Sequence, residues 1–72
     1  MTQPRVGELA KVRLPGERLW VECVALHPDG TWEGRIDNRP VSGLHDFKQN
    51  DVVRFAWAGE MWEPTEREAG SA

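Results

Sequence analysis

A chain of 72 residues has room for one domain, and one this short hides only about 60% of its unfolded surface on folding, so its core must be thin. Its hydrophobic fraction of 39% and charged fraction of 29% belong to a folded globular body rather than to a disordered or fibrous one. No apolar run nears the roughly 18–20 residues that span a bilayer, and residues 1–14 hold no secretory apolar stretch, so a membrane is excluded as partner and a cytoplasmic location is expected.

The first periodic segment is Leu9 to Leu14, with Ala10, Val12 and Leu14 on one side and Leu9, Lys11 and Arg13 on the other, the alternation of a half-buried strand. Pro15-Gly16 follows; proline presets the first central position of a type II turn and glycine accepts the positive φ of the second. Arg18 to Leu26 is a second strand, with Leu19, Val21, Cys23 and Ala25 facing one way and Trp20, Glu22, Val24 and Leu26 the other. Both of its faces are partly apolar, which predicts a bend within a barrel or a binding surface on the second face.

Pro28-Asp29-Gly30 is a hairpin turn. Beyond it, Thr31 to Asp37 sets Trp32, Gly34 and Ile36 against Thr31, Glu33, Arg35 and Asp37, and the mid-strand glycine predicts a bend or a close backbone approach. Asp37-Asn38-Arg39-Pro40 breaks the pattern, and Val41 to Asn50 reads as an irregular connection whose Leu44 and Phe47 are expected to cap one end of the core. Alternation resumes from Asp51 to Trp57, with Val53, Phe55 and Trp57 on one face; Ala58-Gly59 turns the chain into a short last strand, Glu60 to Glu63, which Pro64 ends.

Five short strands, tight turns and one irregular connection predict an all-β fold, a small SH3-like barrel of about five antiparallel strands. A five-stranded oligonucleotide-binding barrel is the alternative and needs a longer chain. The domain is expected over residues 1–63, with 64–72 as an acidic, mobile tail. Residues 60–72 hold four glutamates and one arginine, a net −3 that equals the charge of the whole chain. The remaining body is therefore neutral and lacks the basic excess that drives contact with phosphate backbones.

Three stretches, Gly16-Glu17-Arg18-Leu19-Trp20-Val21-Glu22, Gly34-Arg35-Ile36-Asp37-Asn38-Arg39-Pro40 and Asp51-Val52-Val53-Arg54-Phe55, together resemble the YegJ-type family of small bacterial domains of unknown function and related immunity-like sequences. The resemblance runs over about residues 10–57 and consists mostly of strands and turns, so it implies a fold more than an activity. Such domains commonly carry glycine where this chain has Asn50, a residue that also tolerates the left-handed conformation; the pattern is lost after Trp57. The resemblance brings no catalytic residues.

Nothing in the chain assembles a recognisable reaction centre. Cys23 is the only cysteine, which excludes an internal disulfide and a thiolate metal site built from cysteines alone. In a straight strand it lies about 13 Å from His27, beyond hydrogen-bond reach, and a buried structural role is expected for it. His45-Asp46 has the makings of an imidazole positioned by a carboxylate but no evident third partner, and loop capping is expected. Neither a metal-ligand spacing, a glycine-rich phosphate loop nor a nucleophile elbow occurs, so no metal, no cofactor and no enzymatic activity are expected.

The four tryptophans need explaining, because each carries ~150–250 Å² and a thin core cannot take them all. Trp32 and Trp57 share strand faces with Ile36 and with Val53 and Phe55 and are expected in the core. Trp20 and Trp62 are then the expected surface pair, either sealing the ends of the barrel or anchoring an interface together with Arg18 and Arg35, since tryptophan and arginine are enriched there.

The sequence thus supports a non-enzymatic protein-binding module: a small regulator, immunity-like factor or inhibitor of a host system, of the kind that phage and plasmid accessory genes encode. It would use a Trp/Arg surface or a sheet edge, against another protein or a second copy of itself, and its acidic tail would suit a basic partner. The alternative is single-stranded nucleic-acid binding, with Lys11, Arg13, Arg18, Arg35 and Arg54 as the phosphate track and tryptophans as stacking platforms. Interleaved Glu17, Glu22, Glu33 and Asp37 weigh against that.

Overall fold

The structure, a computed structural model, describes residues 2–65. Over them the chain forms β1 (Leu9–Leu14), β2 (Glu17–Leu26), β3 (Trp32–Ile36), β4 (Val52–Trp57) and β5 (Trp62–Pro64), and no helix. The strands follow one another around a closed SH3-like barrel. Neighbours in chain order pair antiparallel, and an odd number of strands brings first and last together pointing the same way. The closing seam is accordingly parallel, with Val12 opposite Trp62.

Turn chemistry sets the first register. Gly16 has φ +82, the left-handed region that glycine enters without penalty. A Cβ there would also stand 2.7 Å from Leu44 Cδ1. The two-residue loop pairs Leu14 with Glu17 and, counting back, Lys11 with Trp20 and Leu9 with Glu22. The register of β2 on β3 shifts between Cys23 and Ala25, a bulge that bends the long strand as its two-sided apolar pattern predicts. Gly34 faces inward between β2 and β3, where a Cβ would collide with Val21 Cγ1 and Trp32 Cζ3. The space that a side chain would take here is filled by these two side chains, with the Glu22 carbonyl oxygen 3.2 Å away.

Nine side chains make the core: Val12, Leu14, Leu19, Val21, Cys23, Trp32, Ile36, Phe55 and Trp62, with Ala10, Phe47 and Val53 packed against them. The aromatic rings contact in series. Trp32 lies 5.0 Å from Phe55 and 5.5 Å from Trp62 between centroids, and Trp62 lies 5.2 Å from Trp57.

Three expectations change. Trp62 is 6% exposed and Trp57 36%, so Trp62, expected at the surface, lies in the core, and Trp57, expected in the core, is partly exposed. Trp57 is the last residue of β4. Its cross-strand partner Trp62 is wedged between β4 and β1 and points inward against Trp32. Secondly, β5 starts at Trp62 rather than Glu60, because the preceding turn spans Ala58 to Met61 and is closed by the Ala58 amide donating to the Met61 carbonyl. The strand includes Pro64, and the Thr65 amide donates to the Arg54 carbonyl, so both residues belong to the barrel. The remainder of the expected tail, residues 66–72, lies outside the described residues. Thirdly, Phe47 caps the core but Leu44 does not, standing 69% exposed.

The irregular connection is held by its ends. Ile36 and Asp51 bond through amide and carbonyl, and the Asn50 amide donates to the Ile36 carbonyl. Asn50 itself adopts φ +76, the left-handed conformation asparagine tolerates.

Candidate functional site

The inner face of β2 is spent on the core, so its outer face is where a surface is built. Arg18, Trp20, Glu22 and Val24 point outward from β2, next to Leu9, Lys11 and Arg13 from β1 and Arg35 from β3. Trp20 is 42% exposed although it stands on a rigid sheet. Its amide donates to Asn38 Oδ1 at 2.8 Å and its carbonyl accepts from the Asp37 amide at 3.0 Å, so its backbone is fixed from outside the hairpin as well. The Lys11 ammonium sits 4.8 Å from the ring centroid, a cation–π contact that covers one ring face. Leu9, diagonal to Trp20, is also exposed, and so is Val24 at the bulge.

The cations of this surface differ sharply in their partners. Arg13 donates through Nε to Glu63 at 2.6 Å, with Glu60 3.9 Å away. Arg35 is held by Glu22 at 2.5 Å, by Asn50 at 2.9 Å and by Asp37 at 3.5 Å. The Glu22 hydrogen bond, against partial burial, raises the Arg35 pKa further above its ordinary range. Arg54 reaches the Thr31 hydroxyl at 2.9 Å and Asp29 at 3.3 Å; the Asp29 carboxyl is lowered chiefly by hydrogen bonds from the Thr31 hydroxyl and amide. Arg18 has no ion pair or hydrogen-bonded side-chain partner among the described residues. It is exposed, directly opposite Arg13.

Of the residues expected at an interface, the fold therefore brings Trp20 and Arg18 to one open surface, places Arg35 beside them but locked to Glu22, and removes Trp62 into the core. Of the expected phosphate track, Arg13, Arg35 and Arg54 carry carboxylate partners and Lys11 lies on Trp20. The sequence reading missed the Lys11–Trp20 contact. The Pro15-Gly16 loop held the signal, since a two-residue loop fixes which residues face each other.

A second constellation lies at the barrel end. Glu17 accepts the Val41 amide at 3.0 Å and the Ser42 amide at 3.2 Å, and the His45 Nε2–H at 2.6 Å. The Val41 amide does most to hold the Glu17 pKa at about 2; His45 and Ser42 add to it against the opposing cost of burial. His45 Nδ1 accepts the Phe47 amide, which requires that nitrogen to be unprotonated. Both imidazole nitrogens are thus engaged, in a clamp that ties the irregular connection to the first turn. Beside it opens a groove of roughly 690 Å³ lined by residues including Arg13, Pro15, Leu44, Phe47, Glu63 and Pro64. Its imidazole offers neither a free base nor a free ligand.

Burial raises the Cys23 thiol pKa, and its sulfur lies near the Pro4 and Ala25 carbonyls. His27 pairs with Glu33 at 2.7 Å instead. Among the described residues no group of three or more His, Cys, Asp or Glu side chains could hold a metal ion.

The fold and this surface define the chain as a small closed all-β barrel with an exposed tryptophan on its first hairpin. No family model, no curated protein and no solved structure matches it.

Proposed function

We propose that this domain is a non-enzymatic protein-binding module, a small regulator, immunity-like factor or inhibitor, which docks on its partner through the outer face of β1 and β2. The exposure of Trp20 on a braced sheet carries this reading. A large aromatic side chain on a rigid support loses little conformational freedom on binding, and such residues dominate interface energies. Leu9 and Val24 extend its apolar surface, and Arg18 supplies the polar anchor. The closed barrel favours a face over an edge, because each strand already has a neighbour on both sides. The resemblance to YegJ-type and immunity-like domains is compatible with such a role and adds no site of its own. Single-stranded nucleic acid is a weaker fit, since three of its five expected phosphate contacts are paired with carboxylates.

The test is affinity capture from a source lysate with the parent protein and Trp20→Ala, each checked by circular dichroism. A hot-spot tryptophan is worth about 2 kcal/mol or more, so a captured protein should be lost from the variant while the spectrum persists. Equal capture by both would refute the assignment of this face.

A further inference from the structure

We infer that the β1–β2 face is built for an acidic segment of a partner protein, one that lays an apolar side chain on Trp20 and sets a carboxylate between Lys11 and Arg18. The inference deepens the docking role proposed above and rests on it. Its basis is the charge left over after the described residues of the barrel have paired their ions.

Lys11 and Arg18 are diagonal neighbours across the first hairpin, with Lys11 opposite Trp20 and Arg13 opposite Arg18. Diagonal neighbours lie roughly 7–8 Å apart, their Cβ atoms somewhat closer, so two long cationic side chains can meet at one anion. Like charges directly across a strand pair repel. The Arg13–Arg18 pair is such a case; Glu63 and Glu60 both lie on the Arg13 side, and with Lys11 counted this flank keeps an excess of one positive charge. A carboxylate arriving beside Arg18 completes the neutralisation. On the opposite flank Glu22 and Asp37 already share Arg35 and leave a negative excess there. The face is therefore polarised across Trp20, positive towards β1 and negative towards β3, which orients an incoming acidic group onto the β1 side.

This polarity selects among occupants. A second copy of the chain, docked about a two-fold axis through Trp20, would set Lys11 and Arg18 near their own counterparts, and like-charge juxtaposition disfavours that. A basic segment meets the same repulsion. A nucleic acid strand needs a succession of cations along its phosphates, and here Arg13 and Arg35 are occupied by carboxylates, while Lys11 and Arg18 are without one among the described residues.

The inference is tested on the full chain by proton–nitrogen NMR. Its four tryptophans give separate indole N–H signals, and Trp20→Phe identifies the one that matters. The probes are a blocked peptide of glutamates flanking a leucine–phenylalanine pair, the same peptide with glutamine or with lysine replacing glutamate, and oligo-deoxythymidylate. The glutamate peptide should move the Trp20 signal and leave that of buried Trp32 in place. Arg18→Glu should weaken this binding about tenfold, as should added salt. Arg39→Glu, which makes the same change in net charge at another exposed position, should not. An equal response to the glutamine or lysine peptide would overturn the charge selection while leaving a peptide-docking face. A response to oligo-deoxythymidylate alone would overturn the protein partner as well. Silence of Trp20 towards every probe would overturn the acidic segment, and lysate capture would then judge the docking face separately.

Discussion

Alanine in place of Trp62 and alanine in place of Trp20 remove the same atoms at very different cost. Trp62 is 6% exposed and its ring lies between Trp32 and Trp57, so truncation opens a void under the seam between β4 and β1. Losing a buried tryptophan costs about 3–5 kcal/mol, from lost transfer energy and from the cavity. A domain of this length is stable by only about 4–11 kcal/mol in total, at roughly 0.05–0.15 kcal/mol per residue. Trp62→Ala therefore removes about a quarter or more of the stability. With a urea slope of about 1 kcal/mol/M, the unfolding midpoint should fall by about 3 M or vanish. Trp20→Ala opens no cavity and gives up mainly the contact with Lys11, about 0.5–1 kcal/mol, hence a midpoint shift of about 1 M or less. Urea unfolding followed by far-ultraviolet circular dichroism measures both, and Trp62→Phe, which keeps part of the ring, should fall between them. Equal midpoint shifts for the two alanine variants, or a larger one for Trp20, would refute the assignment of one ring to the core and the other to the surface.

Acid should loosen the clamp late. Because the folded state lowers the Glu17 pKa from 4.5 to about 2, its contribution is fully present above about pH 4.5 and is lost as the pH falls through about 2. The Val41 and Ser42 amide signals should titrate with a midpoint near 2 and not at all in Glu17→Gln; a midpoint at the ordinary carboxyl value would show that the amides do not hold the carboxylate. Gly34→Ala should cost about 1–3 kcal/mol or more, as overpacking does, since the added methyl meets Val21 and Trp32. An unchanged urea midpoint would contradict the packing of Val21 and Trp32 over Gly34.

Much of the barrel could be read from local chemistry because local chemistry determines it. The alternation of Ala10, Val12 and Leu14, and of Trp32, Gly34 and Ile36, names the inward face without reference to the rest of the chain. Pro15-Gly16 names both a turn and its register. The failures fall where a segment is too short or too irregular to carry a period. A three-residue β5 has no alternation to read, and Trp62 points inward because its neighbours are Val12 of β1 and Trp57 of β4, positions fixed only when the barrel closes. The connection from 37 to 51 has no period either. His45 is drawn in and Leu44 left out because Glu17, 28 residues earlier than His45, accepts the imidazole N–H and two amides of the same loop.

The docking face divides along the same line. Lys11 on Trp20 follows from the loop length alone, as does Arg18 opposite Arg13, so this much of the site is local. Whether an arginine remains available to a partner is not local. Arg13 and Glu63 are 50 residues apart, and Arg54 meets Asp29 across 25; each pair exists only because strands distant in sequence lie side by side. Among the described residues Arg18 stays open for a related reason. Its directly opposite residue on β1 is another arginine, and the next strand along, β3, brings its own Arg35 into the pair with Glu22. A substitution that gave β1 a carboxylate at position 13 would pair Arg18 within the hairpin and strip the face of half its positive charge. The hairpin register thus does more than position Trp20: by setting Arg13 against Arg18 it leaves a cation beside the ring without a carboxylate across the hairpin.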